Sequence, residues 1–335
     1  MQLADIDYHL PNELIAQVPA EPRDSARLLI DRGVDTPRDG AIPDLLEHLH
    51  DGDVLVVNDT RVVPARLHLS RKSGGAVEVL LLEPLDVAHQ RWEALLRPGR
   101  KMKAGEALHD ELGNHVASVI GRGLLGDTFH LEFTTANARA EIDRLGEMPL
   151  PPYITTHSGD NDRYQTVYAR DAKSAAAPTA GLHFTPDLLE RIRAKGVAIA
   201  AVELVVGLDT FAPVTVPNPL DHVIHSESFH VPDETMAVVE SAKRVVAVGT
   251  TATRALESAG VTGRRSGRTN LFITRGFEFR YVDLLLTNFH MPRTTLLLMI
   301  DAFVGERWRT LYGHAVDRRY RFLSFGDAML LDRSL

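Results

Sequence analysis

Apolar residues come in short bursts over the first sixty positions. Pro11 to Ala16 reads as a brief helix and Arg27 to Asp31 as a strand. Leu45, Leu46 and Leu49 have helical spacing within Pro43 to Leu49, and Asp51-Gly52 ends that segment. Asp53 to Val57 is a near-continuous apolar run, as in a strand covered on both faces. From about Pro64 to Pro149 the texture changes to short alternating runs: Ala65 to Leu69, Val77 to Leu82, Arg91 to Leu95, Asn114 to Ile120 and Thr128 to Phe133. Glycine-bearing turns separate them at Gly74-Gly75, Pro98-Gly99 and Gly121 to Gly126, which predicts a small barrel or sandwich. Pro149, Pro151 and Pro152 form a stiff exit.

After Tyr153 strands and helices alternate. Thr185 caps a helix with Pro186 at its first position; Leu188, Leu189 and Ile192 line one face, and Gly196 ends it. Val197 to Val206, Val245 to Val248, Leu271 to Thr274 and Val282 to Leu286 read as strands. Asp233 to Arg244, Thr251 to Ala259, Thr294 to Phe303 and Arg307 to Tyr320 read as helices. The expected fold is α/β: a mostly parallel sheet covered by helices, with an inserted small all-β barrel domain. Residues 1–63 and 150–335 then form a discontinuous catalytic domain, and residues 64–149 the insertion.

Composition narrows the chemistry. The 335 residues suit two domains, and 44% hydrophobic with 24% charged residues is ordinary globular usage. There is no cysteine, which excludes disulfides, thiolate zinc sites, iron–sulfur clusters and cysteine nucleophiles. With a net charge of −8, a nucleic-acid partner has to be held by local basic islands. Such islands stand at Arg97, Arg100, Lys101 and Lys103, at Arg264, Arg265 and Arg268, and at Arg318, Arg319 and Arg321. Met1 to Leu10 carries Asp5 and Asp7 and no apolar core of signal-peptide length, and Leu296 to Ile300 is far short of a membrane span, so a cytoplasmic protein without membrane contact is expected.

Four polar loops follow predicted strands. Val248-Gly249-Thr250-Thr251 leads into a helix carrying Arg254, and a helix start at the carboxyl end of a strand offers N–H groups to a carboxylate or phosphate. In Ala175 to Thr185, small residues and Gly181 admit a ligand close to the backbone, beside Thr179 and His183. Thr287-Asn288-Phe289-His290 and Asn58-Asp59-Thr60-Arg61 complete the set, and their convergence on one crevice is the central expectation. His222, His225 and Glu227 lack a third ligand at metal-site spacing, so no metal is expected; His225 and Glu227 are better read as acid–base candidates. Gly121-x-Gly123-x-x-Gly126 precedes a strand-like run, not a helix, and reads as a hairpin turn; no Walker loop is present.

Taken in order, these segments resemble the S-adenosylmethionine:tRNA ribosyltransferase-isomerase family of queuosine biosynthesis, nearly end to end. The matching blocks include Leu10 to Gln17, Arg23-Asp24 through Leu29, Asn58 to Leu67 and Pro149 to Tyr153. Further blocks are Arg163 to Ala169, Ala176 to Thr185, Val248 to Thr251 with Arg254, Thr287 to His290, and Gly326 to Met329. The resemblance implies transfer and rearrangement of the ribosyl group of S-adenosylmethionine onto 7-aminomethyl-7-deazaguanine in the tRNA anticodon. Epoxyqueuosine forms, and adenine and methionine leave. S-adenosylmethionine is consumed as a substrate, and no cofactor is implied. The sulfonium acidifies the ribose 5′ hydrogens, adenine needs its nitrogens protonated or hydrogen-bonded to leave, and the attacking amine must be neutral. His183, His290, His225 and Glu227 are then the catalytic candidates. Asn58, Asp59, Arg61, Arg66, Thr179, Gly181, Thr250, Thr251, Arg254 and Asn288 are the substrate-binding candidates, with Thr250, Thr251 and Arg254 placed for the methionine carboxylate or a tRNA phosphate.

One block departs from the family pattern. Leu-His-Val-Gly-x-Gly-Thr-Phe is replaced by Leu204-Val205-Val206-Gly207-Leu208-Asp209-Thr210-Phe211, with Glu203 where a hydroxyl residue is usual. Lys173 stands in place of Gly, and Arg275 where Pro is frequent. These changes leave two further readings open: a relative that uses another ribosyl acceptor, and a non-catalytic relative that binds RNA or S-adenosylmethionine.

Overall fold

The computed structural model describes residues 1–123, 126, 128–156, 161–207, 213–224 and 226–335. The first elements are β1 (Arg27–Ile30), β2 (Arg38–Ala41), α1 (Leu45–His48), β3 (Asp53–Asn58) and β4 (Arg61–Val62). Next come β5 (Arg66–Arg71), β6 (Ala76–Pro84), β7 (Arg91–Arg97), β8 (Ala107–His109), β9 (His115–Arg122), β10 (Phe129–Phe133), α2 (Ala138–Leu145) and β11 (Gly146–Glu147). β12 (Ala172–Ser174), α3 (Pro186–Ala194), β13 (Ala198–Leu204), β14 (Glu227–His230), α4 (Asp233–Ser241) and β15 (Arg244–Val248) follow. α5 (Gly249–Thr262), β16 (Ser266–Thr269), β17 (Leu284–Asn288), α6 (Thr295–Val304), α7 (Arg307–Asp317) and β18 (Ala328–Asp332) complete the chain.

One sheet has nine strands in the order β16-β14-β13-β3-β15-β17-β18-β1-β2. Its centre, β13-β3-β15-β17, is parallel. Antiparallel pairing enters on both flanks, at β13–β14 and β14–β16 on one side and at β17–β18 and β1–β2 on the other. The apolar run of β3 explains its central place. Val54 and Val56 enter the core beneath α4 to α7, while Leu55 and Val57 enter the opposite core with α1 and α3, so successive side chains serve opposite faces.

The second sheet closes on itself in the order β5-β6-β7-β10-β9-β8, with β8 returning to β5 and β11 added beside β5. Burial alternates along β7: Trp92, Ala94 and Leu96 point inward between more exposed neighbours. The short parallel pair β4–β12 joins the two sheets.

The structure differs from the sequence pattern in several elements. Pro11 to Ala16 holds only a single turn of 3-10 helix, Asn12–Leu14, and Leu271 to Thr274 forms no strand. The edge strands β2 (Arg-Asp-Gly-Ala) and β16 (Ser-Gly-Arg-Thr) are polar and carry no alternating signal; their backbones pair because a neighbour is present. The glycine string sits where β9 turns into β10, with Gly123 N–H donating to Thr128 C=O at 2.9 Å, as the hairpin reading expects. Among the described residues, no helix is long and apolar enough to cross a membrane.

Candidate active site

The four parallel strands end on the same side of the sheet, which is where open α/β folds bind ligands. At the end of β3, Asn58 is fully buried. Its Nδ2 donates to Leu204 C=O at 3.0 Å, and its Oδ1 accepts from the N–H of Leu204 and Thr60 at 3.3 and 3.2 Å. Asn58 therefore ties the ends of β3 and β13 together.

At the end of β17 the amide of Asn288 is fixed on both sides. Thr179 Oγ1 donates to its Oδ1 at 3.0 Å, while its Nδ2 faces Asp327 C=O at 3.3 Å and His183 Nε2 at 3.2 Å. A donor opposite Nε2 makes that nitrogen the acceptor and leaves the His183 proton on Nδ1. Gly181 is required beside this network, because a Cβ there would collide with the Tyr168 hydroxyl. Two residues on, the His290 N–H donates to the Tyr312 hydroxyl at 3.0 Å, its C=O accepts from the Tyr8 hydroxyl, and its Nε2 lies 3.2 Å from Thr287 Oγ1.

At the end of β15, helix α5 starts with Gly249-Thr250-Thr251. One turn on, Arg254 is 5% exposed and pairs with Glu227, itself 6% exposed. Arg254 also donates to the carbonyls of Leu271 (3.1 Å) and Thr269 (3.3 Å), and Glu227 Oε1 accepts from Gly207 N–H at 3.2 Å. Burial lowers the Arg254 pKa, opposed by Glu227.

Two cavities meet at this point. A small one, about 40 Å³, is lined by Thr179, Thr250, Thr251, Asn288, His290 and Tyr153 among others. The larger, about 590 Å³, lies between the sheet ends and the barrel and falls within the range of small-molecule sites. Its sheet side presents Val205, Glu227, Arg254, Phe272 and Met299, and its barrel side Glu83, Glu93, Thr128 and His130. Thr250, Thr251 and Leu296 line both cavities. A bridge closes one edge, where barrel residue Glu83 accepts from Arg268 and, at 3.1 Å, from Ser228 Oγ.

The structure thus brings Thr179, Asn288, His290, Thr250, Thr251, Arg254 and Glu227 to connected cavities, and His183 stands one hydrogen bond behind them. Asn58 lies beneath the crevice and lines neither cavity, and neither do Asp59, Arg61 and Arg66. Asp59 is buried 3.5 Å from Arg170, and its pKa is raised by burial. Arg61 is exposed on β4, and Arg66 reaches Leu150 C=O at 3.5 Å. His225 and Asp209 lie outside the described residues. The barrel wall and the tyrosines around His290 are additions that no local pattern announces: Glu93 and His130 occupy ordinary outward positions of alternating strands, and Glu83 is buried at a bulge in β6.

Burial holds both central imidazoles neutral. The His183 pKa is pushed down to about 4, by burial first and Arg321 second, and the His290 pKa to about 3 by burial. Both folded values lie below the ordinary 6.5, so the unfolded chain takes up protons first as pH falls. Stability present above pH 6.5 is therefore lost on acidification toward about 4 for His183 and about 3 for His290. The expected slope is about 1.4 kcal/mol per pH unit for each histidine. Urea midpoints at stepped pH values check this, and a His290→Asn variant should remove one histidine's share; the same slope in both proteins contradicts it.

An open α/β sheet whose parallel strands end in hydroxyl, amide and imidazole groups, roofed by a closed β-barrel, defines an enzyme of the α/β class with an enclosed small-molecule site. The profile of the queuosine biosynthesis protein family matches residues 3–331, and the chain belongs to that family. It is 48% identical to the S-adenosylmethionine:tRNA ribosyltransferase-isomerase of Symbiobacterium thermophilum over a gapped alignment of 345 positions that covers 99% of this chain and all of the relative. It is 46% identical to the Staphylococcus epidermidis protein of the same name, again over 99% of this chain and all of the relative. The crystal structure of S-adenosylmethionine tRNA ribosyltransferase from Thermotoga maritima at 2.00 Å resolution aligns with a TM-score of 0.56 and 37% identity, covering 97% of this chain and 99% of that one.

The departures from the family pattern are partly explained by packing. Lys173 and Glu203, unusual separately, form an ion pair with Nζ at 3.0 and 3.1 Å from the two carboxylate oxygens. Arg275 pairs with the buried Asp301, with Nη2 2.6 Å from Oδ1, and with Glu306. Val205 is buried in the wall of the larger cavity, where it supplies only apolar surface.

Proposed function

We propose that this chain is an S-adenosylmethionine:tRNA ribosyltransferase-isomerase. It transfers the ribosyl group of S-adenosylmethionine to 7-aminomethyl-7-deazaguanine in tRNA and isomerises it to epoxyqueuosine, with loss of adenine and methionine. The observation that carries the reading is the end-to-end match to relatives of that name, joined to a 590 Å³ cavity at the carboxyl ends of the parallel strands.

The reaction needs a base near the acidified ribose 5′ hydrogens. His290 lines the small cavity and presents a neutral ring there, although a pKa pushed down to about 3 by burial makes it a weak base. His183 acts through Asn288, whose amide it helps hold in place. Arg254 and Glu227 compensate each other's charge and shape the wall where α5 and β14 meet. The tRNA backbone is held through exposed cations. Arg268 and Arg321 are engaged with Glu83 and Asp327, and Arg97 lies 3.9 Å from Glu78, so exposed Arg100, Lys101 and Lys103 on the barrel and exposed Arg264, Arg318 and Arg319 on the other islands are the cations offered to it.

Adenine release from S-adenosylmethionine tests the assignment. Release is expected only with tRNA carrying 7-aminomethyl-7-deazaguanine. Release with a different acceptor supports a divergent ribosyltransferase, and no release with any acceptor supports a non-catalytic relative.

A further inference from the structure

The start of α5 combines three features that point to a bound anion. Val248, the residue before its first turn, provides no side-chain cap, and the first turn holds no acidic residue. Its opening N–H groups and the dipole of a 14-residue helix therefore face the cavities uncompensated by a side chain. Second, Thr251 is only 9% exposed, and its Oγ1 is buried with no hydrogen-bond partner. A buried hydroxyl without a partner is destabilising, and a bound acceptor relieves that cost. Third, Gly249 has φ +86°, which turns the chain sharply into the helix beside Ala180 and keeps the approach free of side chain.

We infer that this helix start binds the α-carboxylate of S-adenosylmethionine, with Thr251 Oγ1 as a donor beside the first-turn N–H groups. The inference rests on the function proposed above and adds which end of the substrate sits where. Size separates a carboxylate from a tRNA phosphate. The cavity behind Thr250 and Thr251 is about 40 Å³, space for about three waters, and is walled by Ala177, Pro178, Phe289, Met291 and Leu323. A phosphodiester flanked by two nucleosides does not fit there, whereas a terminal carboxylate does. Arg254 is not the counter-charge, because Glu227 and two backbone carbonyls engage it. Recognition by helix N–H groups and a hydroxyl leaves the larger cavity, with Leu271, Phe272, Ile273 and Met299, for the adenosine part.

The test is calorimetric binding of S-adenosylmethionine and of its decarboxylated analogue to the whole protein without tRNA. Wild type is expected to bind the carboxylate form at least tenfold more tightly. Thr251→Val should weaken S-adenosylmethionine about tenfold or more and leave the analogue within about twofold, and Thr251→Ser should restore the preference. Equal affinity of wild type for the two compounds overturns the inference, whatever the variants do. So does an equal loss for both compounds in Thr251→Val, the mark of a merely structural threonine. A wild type that binds neither compound, with tRNA absent or present, removes the functional reading itself, an outcome distinct from loss of discrimination.

Discussion

Arg254→Ala is expected to destabilise the fold by about 3–5 kcal/mol, because it leaves the Glu227 carboxylate buried without its cation. Both partners are more than nine-tenths buried, at 5% and 6% exposure, so water screens the resulting charge poorly. Arg254 also donates to two carbonyls where the chain turns from β16 into the cavity wall, and these lose their donor as well. Denaturant unfolding reads the loss directly. A double replacement, Arg254→Met with Glu227→Leu, should recover the part of the loss due to the uncompensated charge, while the Thr269 and Leu271 carbonyls and the Gly207 N–H stay without those partners. A single variant with an unchanged midpoint would mean the pair is not desolvated as described.

The second large effect is on turnover. Asn288→Ala is expected to lower kcat/KM for adenine release about a hundredfold, a barrier increase of about 2.7 kcal/mol. The size follows from positioning, because this one side chain contacts Thr179, His183 and Asp327 at once. Without the amide, Thr179 and His183 lose the group that sets their orientation, and misplacement of about 1 Å is enough for a loss of that size. His183→Ala, one bond further from the cavity, should cost at least tenfold, about 1.4 kcal/mol. If Asn288→Ala retained full turnover with normal stability, the network would be packing alone.

Much of this was legible in the residues. The apolar run Asp53 to Val57 is the central covered strand, and the alternating runs between Pro64 and Pro149 are barrel strands. Thr185 caps α3 by accepting from Leu188 N–H, as its position before Pro186 indicates. Polar edge strands and the cavity wall at Leu271 to Ile273 were not legible. Their conformation comes from neighbours, and their residues carry no period of their own.

Periodicity, capping residues and glycine positions act within about ten residues, so the sequence by itself determined which segments are strands and helices and which loops leave the carboxyl ends of strands. The tertiary structure alone decided which loops meet. Thr179 and Asn288 are 109 positions apart, and His183 and Asn288 are 105; only the order β13-β3-β15-β17 makes them neighbours. It also pairs Lys173 with Glu203, turns Arg254 toward Glu227 and sets the barrel as the far wall of the cavity. The physical reason is that a side chain's partner across the fold is set by strand order and sheet twist. These minimise exposed apolar surface for the whole chain at once, and no short segment encodes that minimum.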